Sequence, residues 1–121
     1  MTEEGNPQRY DLEDRTFEFA TRVRAFVKTL PHTMSNVEDT KQLVRSSGSV
    51  GANYIEANEA LSKKDFRMRI KICRKEAKES CYWLRVLDTG GRSEVEPERA
   101  RLVQEATELM KIFGAIVHKC E

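Results

Sequence analysis

Residues that break helices are scarce in this sequence. Among 121 residues there are only 6 Gly and 3 Pro, whereas Asp, Glu, Lys and Arg make up 34% of the chain. A protein with many tight β-turns needs more Gly and Pro, so the composition excludes a turn-rich β-protein and favours long solvated helices. The length suits one domain with a real core and is short for two.

An excess of one charge is also absent. The 21 basic and 20 acidic residues leave a net charge of +1. Strongly basic nucleic-acid binders show an obvious excess of Lys and Arg. Any contact of this chain with nucleic acid must therefore rest on a local patch.

Cysteine is rare, and its spacing does not suggest disulfides. Cys73, Cys81 and Cys120 are an odd number without a framework pattern, which predicts free thiols in a reducing compartment. On one helix, Cys73 and Cys81 would lie about 12 Å apart along the axis, beyond disulfide reach. No stretch approaches a membrane span, and the N-terminus has no apolar export segment. We therefore expect a cytoplasmic protein.

The residues that catalytic and metal sites require are missing. A ferritin-like di-metal bundle needs Glu-x-x-His on two helices. Here His32 and His118 follow Thr29 and Ala115 by three residues, so the ligands are absent. No Cys-x-x-Cys, phosphate-binding Gly loop or Gly-x-Ser-x-Gly turn occurs. We predict a protein that is not an enzyme and has no cofactor or metal.

Apolar residues recur every three or four positions in four segments, which predicts an all-α protein with four helices. Residues 1–10 are polar and are expected to form a flexible tail, and residues 11–121 a bundle domain. The expected helices cover residues 11–30, 37–61 and 62–88, with the fourth following residue 93. Short loops make an antiparallel up-down four-helix bundle the simplest topology.

Local signals support these boundaries. Ser62 with Asp65, and Ser93 with Glu96, resemble capping boxes at the starts of helices three and four. Glycines 90–91 would end helix three. Several small residues lie in the middle of helix two, where each Gly costs about 1 kcal/mol relative to Ala. A close helix crossing would compensate for this cost.

Helix three carries a second apolar row, well separated from its core face. We call this row the apolar stripe; it consists of Met68, Ile72, Trp83 and Val86. A monomeric bundle has no use for it, so it is predicted to be a subunit interface. The alternative is that Trp83 lies at the edge of the core.

Between the core face and the apolar stripe lies a basic stripe, which we predict to be an RNA-binding surface. It consists of Lys63, Lys64, Arg67, Lys71, Arg74, Lys75 and Lys78. Such a row on one rigid helix suits consecutive phosphates. The alternative is an ordinary solvated face whose positive field is weakened by Asp65, Glu76 and Glu79.

Helix two carries five polar residues on one narrow face, which we call the polar ladder: Gln42, Arg45, Ser49, Asn53 and Glu56. Their donors and acceptors can hydrogen-bond along the helix or across to another. One interpretation is a structural seam at a buried interface. The other is a ligand or enzyme site using Arg45, Asn53 and Glu56.

The polar ladder, read as Q-x-x-R-x-x-x-S-x-x-x-N-x-x-E, resembles the bacterial four-helix bundle family named for proteins encoded in intervening sequences of large-subunit ribosomal RNA genes. The segments SKKDF (62–66) and KEAKESCYWL (75–84) are similar to that family as well. One departure is Ala57, where the family often has Gly. This change favours a helix two that continues to Leu61.

The resemblance implies an antiparallel bundle that assembles into a ring-like homo-oligomer, commonly a pentamer, without a catalytic activity. Related bundles of diversity-generating retroelements suggest contact with nucleic acid or reverse transcriptase. We therefore expect a non-enzymatic scaffold that contacts RNA or an RNA-handling protein through the basic stripe. The alternative is a protein-binding scaffold, or a retroelement accessory-like protein, without direct RNA contact.

Overall fold

The computed structural model of the chain describes residues 7–120, with side chains from residue 12 onward. Four long helices follow in order: α1 (Pro7–Val27), α2 (Met34–Asn58), α3 (Lys63–Val86) and α4 (Glu96–Lys119). A single 3-10 turn, Ser93–Val95, leads into α4. Residues 7–120 contain no strand, which confirms the all-α prediction.

Neighbouring helices run antiparallel. Between α1 and α4, Arg15 contacts Glu105, and Arg22, further along α1, contacts Glu98, which lies earlier on α4. The same opposite order joins α1 to α2, where Thr16 lies beside Gly51 and Arg24 contacts Val44. It joins α2 to α3, where Asn53 contacts Arg69 and Arg45 contacts Glu79. It also joins α3 to α4, where Arg74 lies beside Gly114 and Cys81 contacts Thr107. The helices therefore form the predicted up-down four-helix bundle.

Large apolar side chains from all four helices fill the core. Phe19 and Phe113 are the largest fully buried residues, and the rings of Tyr54 and Phe113 pack with centroids 5.9 Å apart. Cys73 also lies in this core, where burial raises the pKa of its thiol to about 12. At neutral pH Cys73 is thus protonated and acts as a small hydrophobic residue.

Small residues in α2 allow the predicted close crossings on two sides. Ser46 of α2 and Ser80 of α3 are fully buried, and their hydroxyl oxygens lie 2.9 Å apart. On the side facing α1, Gly51 leaves room for Thr16, a buried residue whose hydroxyl donates to the Leu12 carbonyl at 2.8 Å. The tertiary contacts thus explain why α2 tolerates residues of low helix propensity.

Several helix boundaries differ from the expected ones: α1 ends at Val27 and not at residue 30, and α2 begins at Met34 and not at residue 37. Helix α1 begins at Pro7, so residues 7–10 are helical, whereas residues 1–6 lie outside the described part of the chain. Helix α2 ends at Asn58 rather than continuing to Leu61, whose side chain is 99% exposed in the following loop. Helix α3 ends at Val86.

One of the two predicted caps is present. The Asp65 amide donates to the Ser62 hydroxyl at 3.0 Å, which confirms the start of α3. The capping box of Ser93 and Glu96 is wrong, because the 3-10 turn places Val95 before α4 and no side chain caps that end. The Glu96 carboxylate instead accepts a 3.0 Å hydrogen bond from Thr89.

A buried Asn36 joins the two loops at one end of the bundle. Its Nδ2 donates to the carbonyls of Pro31 and Asp88 at 2.9 and 2.8 Å, and its Oδ1 accepts from the Asp88 amide at 3.0 Å. Gly90 and Gly91 follow with φ of 68° and 79°, a conformation that side-chain-bearing residues rarely adopt. These contacts set where α4 begins relative to α2.

The two helical glycines of α2 provide a test of the α1–α2 crossing. A Cβ at Gly51 would lie 2.9 Å from Thr16 Oγ1 and 3.1 Å from Thr16 Cβ, and buried Thr16 has little room to move. We expect Gly51→Ala to lower the free energy of unfolding by about 1–3 kcal/mol, as measured by urea denaturation.

Gly48→Ala is the matched control. A Cβ there would meet only the end of the Arg24 side chain, at 3.2 Å, and this end can move. The gain in helix propensity should then leave stability equal or raise it by up to about 1 kcal/mol. Equal effects of the two substitutions would show that the close crossing does not constrain the bundle.

Candidate nucleic-acid interface

Helix α3 packs between α2 and α4 and exposes its remaining face. Residues such as Ile70, Cys73, Ala77 and Leu84 are fully buried against the core. The flank beside α4 carries the basic stripe. Arg74 of this stripe lies against Gly114 of α4, and its Cδ is 3.5 Å from the point that a Cβ on Gly114 would occupy. The flank beside α2 carries Arg69 and Glu76, and the apolar stripe lies between this flank and the basic stripe.

The polar ladder places Arg45 of α2 opposite two carboxylates of α3. Its guanidinium donates to Glu76 at 3.2 and 3.4 Å and to Glu79 at 2.9 Å. Glu76 is only 6% exposed. These hydrogen bonds, that to Glu76 first, raise the pKa of Arg45, so the arginine remains charged.

The ladder continues at Asn53. Its Nδ2 donates to the carbonyl and hydroxyl of Ser49 at 2.9 and 3.1 Å, and its Oδ1 accepts from Arg69 of α3 at 3.1 Å. Gln42 and Glu56, at the two ends, are exposed. The three central residues therefore hydrogen-bond within α2 and across to α3, as a structural seam inside one chain does.

The seam pairs two carboxylates of α3 with Arg45 and so affects the charge balance of the basic stripe. Glu76 and Glu79 both bind Arg45 of α2, and the charge of Lys75, one turn before Glu79, also helps to lower the pKa of Glu79. Four basic-stripe residues instead line a shallow groove of about 470 Å³ with Met110 of α4: Lys71, Arg74, Lys75 and Lys78. Within residues 12–120, none of these four forms an ion pair.

The other basic-stripe residues extend the row toward the start of α3. Lys63 and Lys64 are exposed on its first turn, and Arg67 is half-buried. The structure thus brings all seven residues to one flank. Of the carboxylates that were considered as neutralising partners, Glu76 and Glu79 bind Arg45, and Asp65 lies at the helix start.

The apolar stripe is exposed at its ends and partly covered in its middle. Met68 and Val86 are 48% and 42% exposed, whereas Ile72 and Trp83 are half-buried. Trp83 packs against the core, and its Nε1 donates to Glu79 at 3.1 Å. Trp83 therefore lies at the core edge, as the alternative interpretation held, while its neighbours in the stripe remain accessible.

An exposed aromatic residue, Tyr82, was not singled out from the sequence. It is 57% exposed and packs edge to face on Trp83, with ring centroids 4.9 Å apart and an interplanar angle of 79°. Its position four residues after Lys78, which places it in line with the basic stripe, was the available signal.

The ligand or enzyme site considered for α2 would use Arg45, Asn53 and Glu56. Arg45 and Asn53 are held in the seam, and Glu56 lies exposed beyond it.

A larger cavity, of about 540 Å³, opens at the end of the bundle that includes Phe66 and Ile112. Its described lining is mainly apolar, with Asn58 and Lys119 as polar members.

The described residues contain neither a metal-binding cluster nor a helix that could span a membrane. No three His, Cys, Asp or Glu side chains within this part of the chain gather in a way that could hold a metal ion. No helix here combines the length and apolar character that crossing a membrane requires.

Comparison with known proteins identifies the family. The model for the 23S rRNA-intervening sequence protein family matches residues 8–115. The chain belongs to this family. A crystal structure of a protein with unknown function, from the S23 ribosomal protein family of Bacteroides thetaiotaomicron, is also similar, with 32% sequence identity and a TM-score of 0.75. The match covers 91% of this chain and 97% of that one. No curated protein matches.

The resemblance of the polar ladder and the α3 segments to the intervening-sequence family is thereby confirmed. The match includes the whole of α2 and α3. The residues of the seam and of both stripes therefore lie within the family domain.

The contacts of Glu79 in the seam depend on pH, because they require its ionised carboxylate. The hydrogen bond from Trp83, and next that from Arg45, hold the pKa of Glu79 below its ordinary value of 4.5, against the opposing effect of burial. The stabilisation that these contacts provide is complete above the ordinary pKa and is lost as the pH falls through the lowered one. Trp83 is the only tryptophan and reports the change.

We expect acid titration of Trp83 fluorescence to show a transition with a midpoint below pH 4.5. Glu79→Gln should remove it, and Glu38→Gln, at an exposed glutamate of α2 that pairs with Lys41, should leave it intact. Circular dichroism would verify that the helices persist through the transition. The same transition in Glu79→Gln would disprove the assignment to Glu79.

Proposed function

We propose that the protein is a non-enzymatic homo-oligomeric scaffold that binds RNA through the phosphate backbone, along the basic stripe of α3. One observation supports this proposal most strongly. Arg45 holds Glu76 and Glu79 on the α2 side, and Lys71, Arg74, Lys75 and Lys78 line a groove on the α4 side without an ion pair among the described residues.

The geometry of the stripe suits a polyanion. Lys63 and Lys78 are fifteen residues apart on one helix, which corresponds to about 22 Å along the axis. A rigid row of cations can neutralise several phosphates and release their condensed counterions. The net charge of +1 does not oppose this, because a local field and not the bulk charge contacts the ligand.

The choice of RNA as the polyanion follows the names of the related proteins. The family description refers to 23S rRNA, and the similar crystal structure comes from a ribosomal protein family. The intervening-sequence name itself gives the location of the genes. The proposal therefore takes the ligand class from the charge of the groove and the choice of RNA from the family.

Self-association would use the apolar stripe. Met68 and Val86 expose apolar surface on α3, and neither of them lines the basic groove. A ring, a pentamer by the family resemblance, would repeat the basic stripe around its circumference. Such repetition raises the apparent affinity for a long RNA without any new contact.

A protein-binding scaffold without RNA is the second candidate. The exposed apolar residues Met68 and Val86 favour it, because they suit a protein partner as well as another copy of the chain. The two candidates differ in salt dependence. Phosphate binding weakens steeply as salt is added, and a protein contact through apolar residues does not.

The RNA proposal predicts a specific salt slope. We expect Lys71→Gln, Lys75→Gln and Lys78→Gln together to reduce the magnitude of the slope of log K against log salt by about two to three, because each lost phosphate contact removes about 0.7–0.9. Fluorescence anisotropy with a structured 23S rRNA fragment measures this slope. Arg74 is retained because its side chain also packs beside Gly114.

The control removes the same number of charges elsewhere: Lys28→Gln, Lys41→Gln and Arg101→Gln, at exposed positions in the turn after α1, on α2 and on α4. Its salt slope should stay close to that of the unmodified protein. Equal losses in the two triple variants would indicate nonspecific attraction, and no RNA binding by the unmodified protein would favour the protein-only scaffold.

The assembly proposal predicts dissociation when charge enters the apolar stripe. We expect Met68→Glu with Val86→Glu to reduce the solution mass measured by light scattering to that of a single chain, because a buried unpaired carboxylate costs several kcal/mol. The control, Met34→Glu with Leu61→Glu, changes residues that are 88% and 99% exposed outside α3. It should assemble normally. A single-chain mass for the unmodified protein would contradict the proposal.

A further inference from the structure

We propose that Tyr82 is a stacking platform for an unpaired nucleobase at the end of the basic stripe, so that the protein prefers RNA with single-stranded nucleotides. This inference rests on the proposed RNA binding and adds the class of RNA that is recognised. It begins with exposure. The Tyr82 ring is 57% exposed on a helix in which the other large aromatic residues, Phe66 and Trp83, are half-buried against the core.

Tyr82 continues the line of the basic stripe. At about 100° per residue, Lys71, Lys75, Lys78 and Tyr82 fall within an arc of about 60° on the helix. Tyr82 lies one turn beyond Lys78, which corresponds to about 6 Å along the axis. A strand whose phosphates follow the lysines would thus bring a nucleotide to the tyrosine.

A chain of contacts orients the ring. Arg45 donates to Glu79, Glu79 accepts from Trp83 Nε1, and Trp83 packs on Tyr82 at 79°. Edge-to-face packing uses one ring's edge and the other's face. Because Trp83 is held by its own hydrogen bond, Tyr82 has a fixed neighbour that limits its rotation while its outer surface remains open.

The chemistry of this surface suits single strands. Every base has a π-face, and stacking on an aromatic side chain together with cationic contacts to the backbone is how many proteins bind single-stranded nucleic acid. Bases inside a duplex are already stacked and cannot reach a ring on a helix surface. Tyr82 therefore adds affinity for unpaired nucleotides, and the lysines add affinity for both forms.

The test compares a mixed-sequence 16-nucleotide RNA with its blunt duplex, using the full chain and anisotropy at fixed salt. We expect Tyr82→Ala to weaken binding of the single strand about five-fold or more and to leave duplex binding unchanged. Tyr82→Phe, which keeps the ring, should restore single-strand binding. Phe17→Ala, which removes a 71% exposed ring from α1, is the matched control and should change neither.

The outcomes separate the two proposals. If Tyr82→Ala binds the single strand like the unmodified protein, while the triple lysine variant loses both RNAs, the stacking platform is overturned and the basic stripe stands. Equal weakening of both RNAs by Tyr82→Ala also overturns it. If the unmodified protein binds neither RNA, both proposals fail.

Discussion

The contact of Arg45 with Glu76 and Glu79 is the interaction on which the rest of α3 depends. Glu76 is almost fully buried, and a buried carboxylate without a cationic partner would be strongly destabilising. The ion pair of Arg45 with Glu76 therefore fixes the rotation of α3 against α2. That rotation in turn places Lys71, Lys75 and Lys78 near Met110 of α4, and it positions Trp83 through Glu79.

One consequence is that a nearly neutral protein carries a strongly polarised helix. Glu76 and Glu79, in the middle of α3, bind Arg45, and four cations form no ion pair among the described residues: Lys71, Arg74, Lys75 and Lys78. These four cations line one groove, and this distribution is the basis for proposing a polyanion as the partner. Ion pairs also join α1 to α4, where Arg15 binds Glu105 and Arg22 binds Glu98.

Helix content and the core faces could be predicted from the sequence, because the spacing of apolar residues and the Ser62 cap are local signals. The residues of the polar ladder and of both stripes also follow from helical periodicity. The direction of Glu76 and Glu79 could not be predicted, because it depends on how α2 and α3 are rotated against each other. The false cap at Ser93, the exposure of Leu61 and the loop contacts of Asn36 depend on loop conformation, which composition and spacing do not determine.

The central claim is that RNA lies on the flank of α3 that faces away from the Arg45 seam. Lysine acetylation read by mass spectrometry, with and without bound RNA, tests this claim directly on the unmodified protein. The account predicts that RNA protects Lys71, Lys75 and Lys78 and leaves Lys28 and Lys41 reactive. Uniform protection of all five lysines, or protection confined to Lys28 and Lys41, would contradict it.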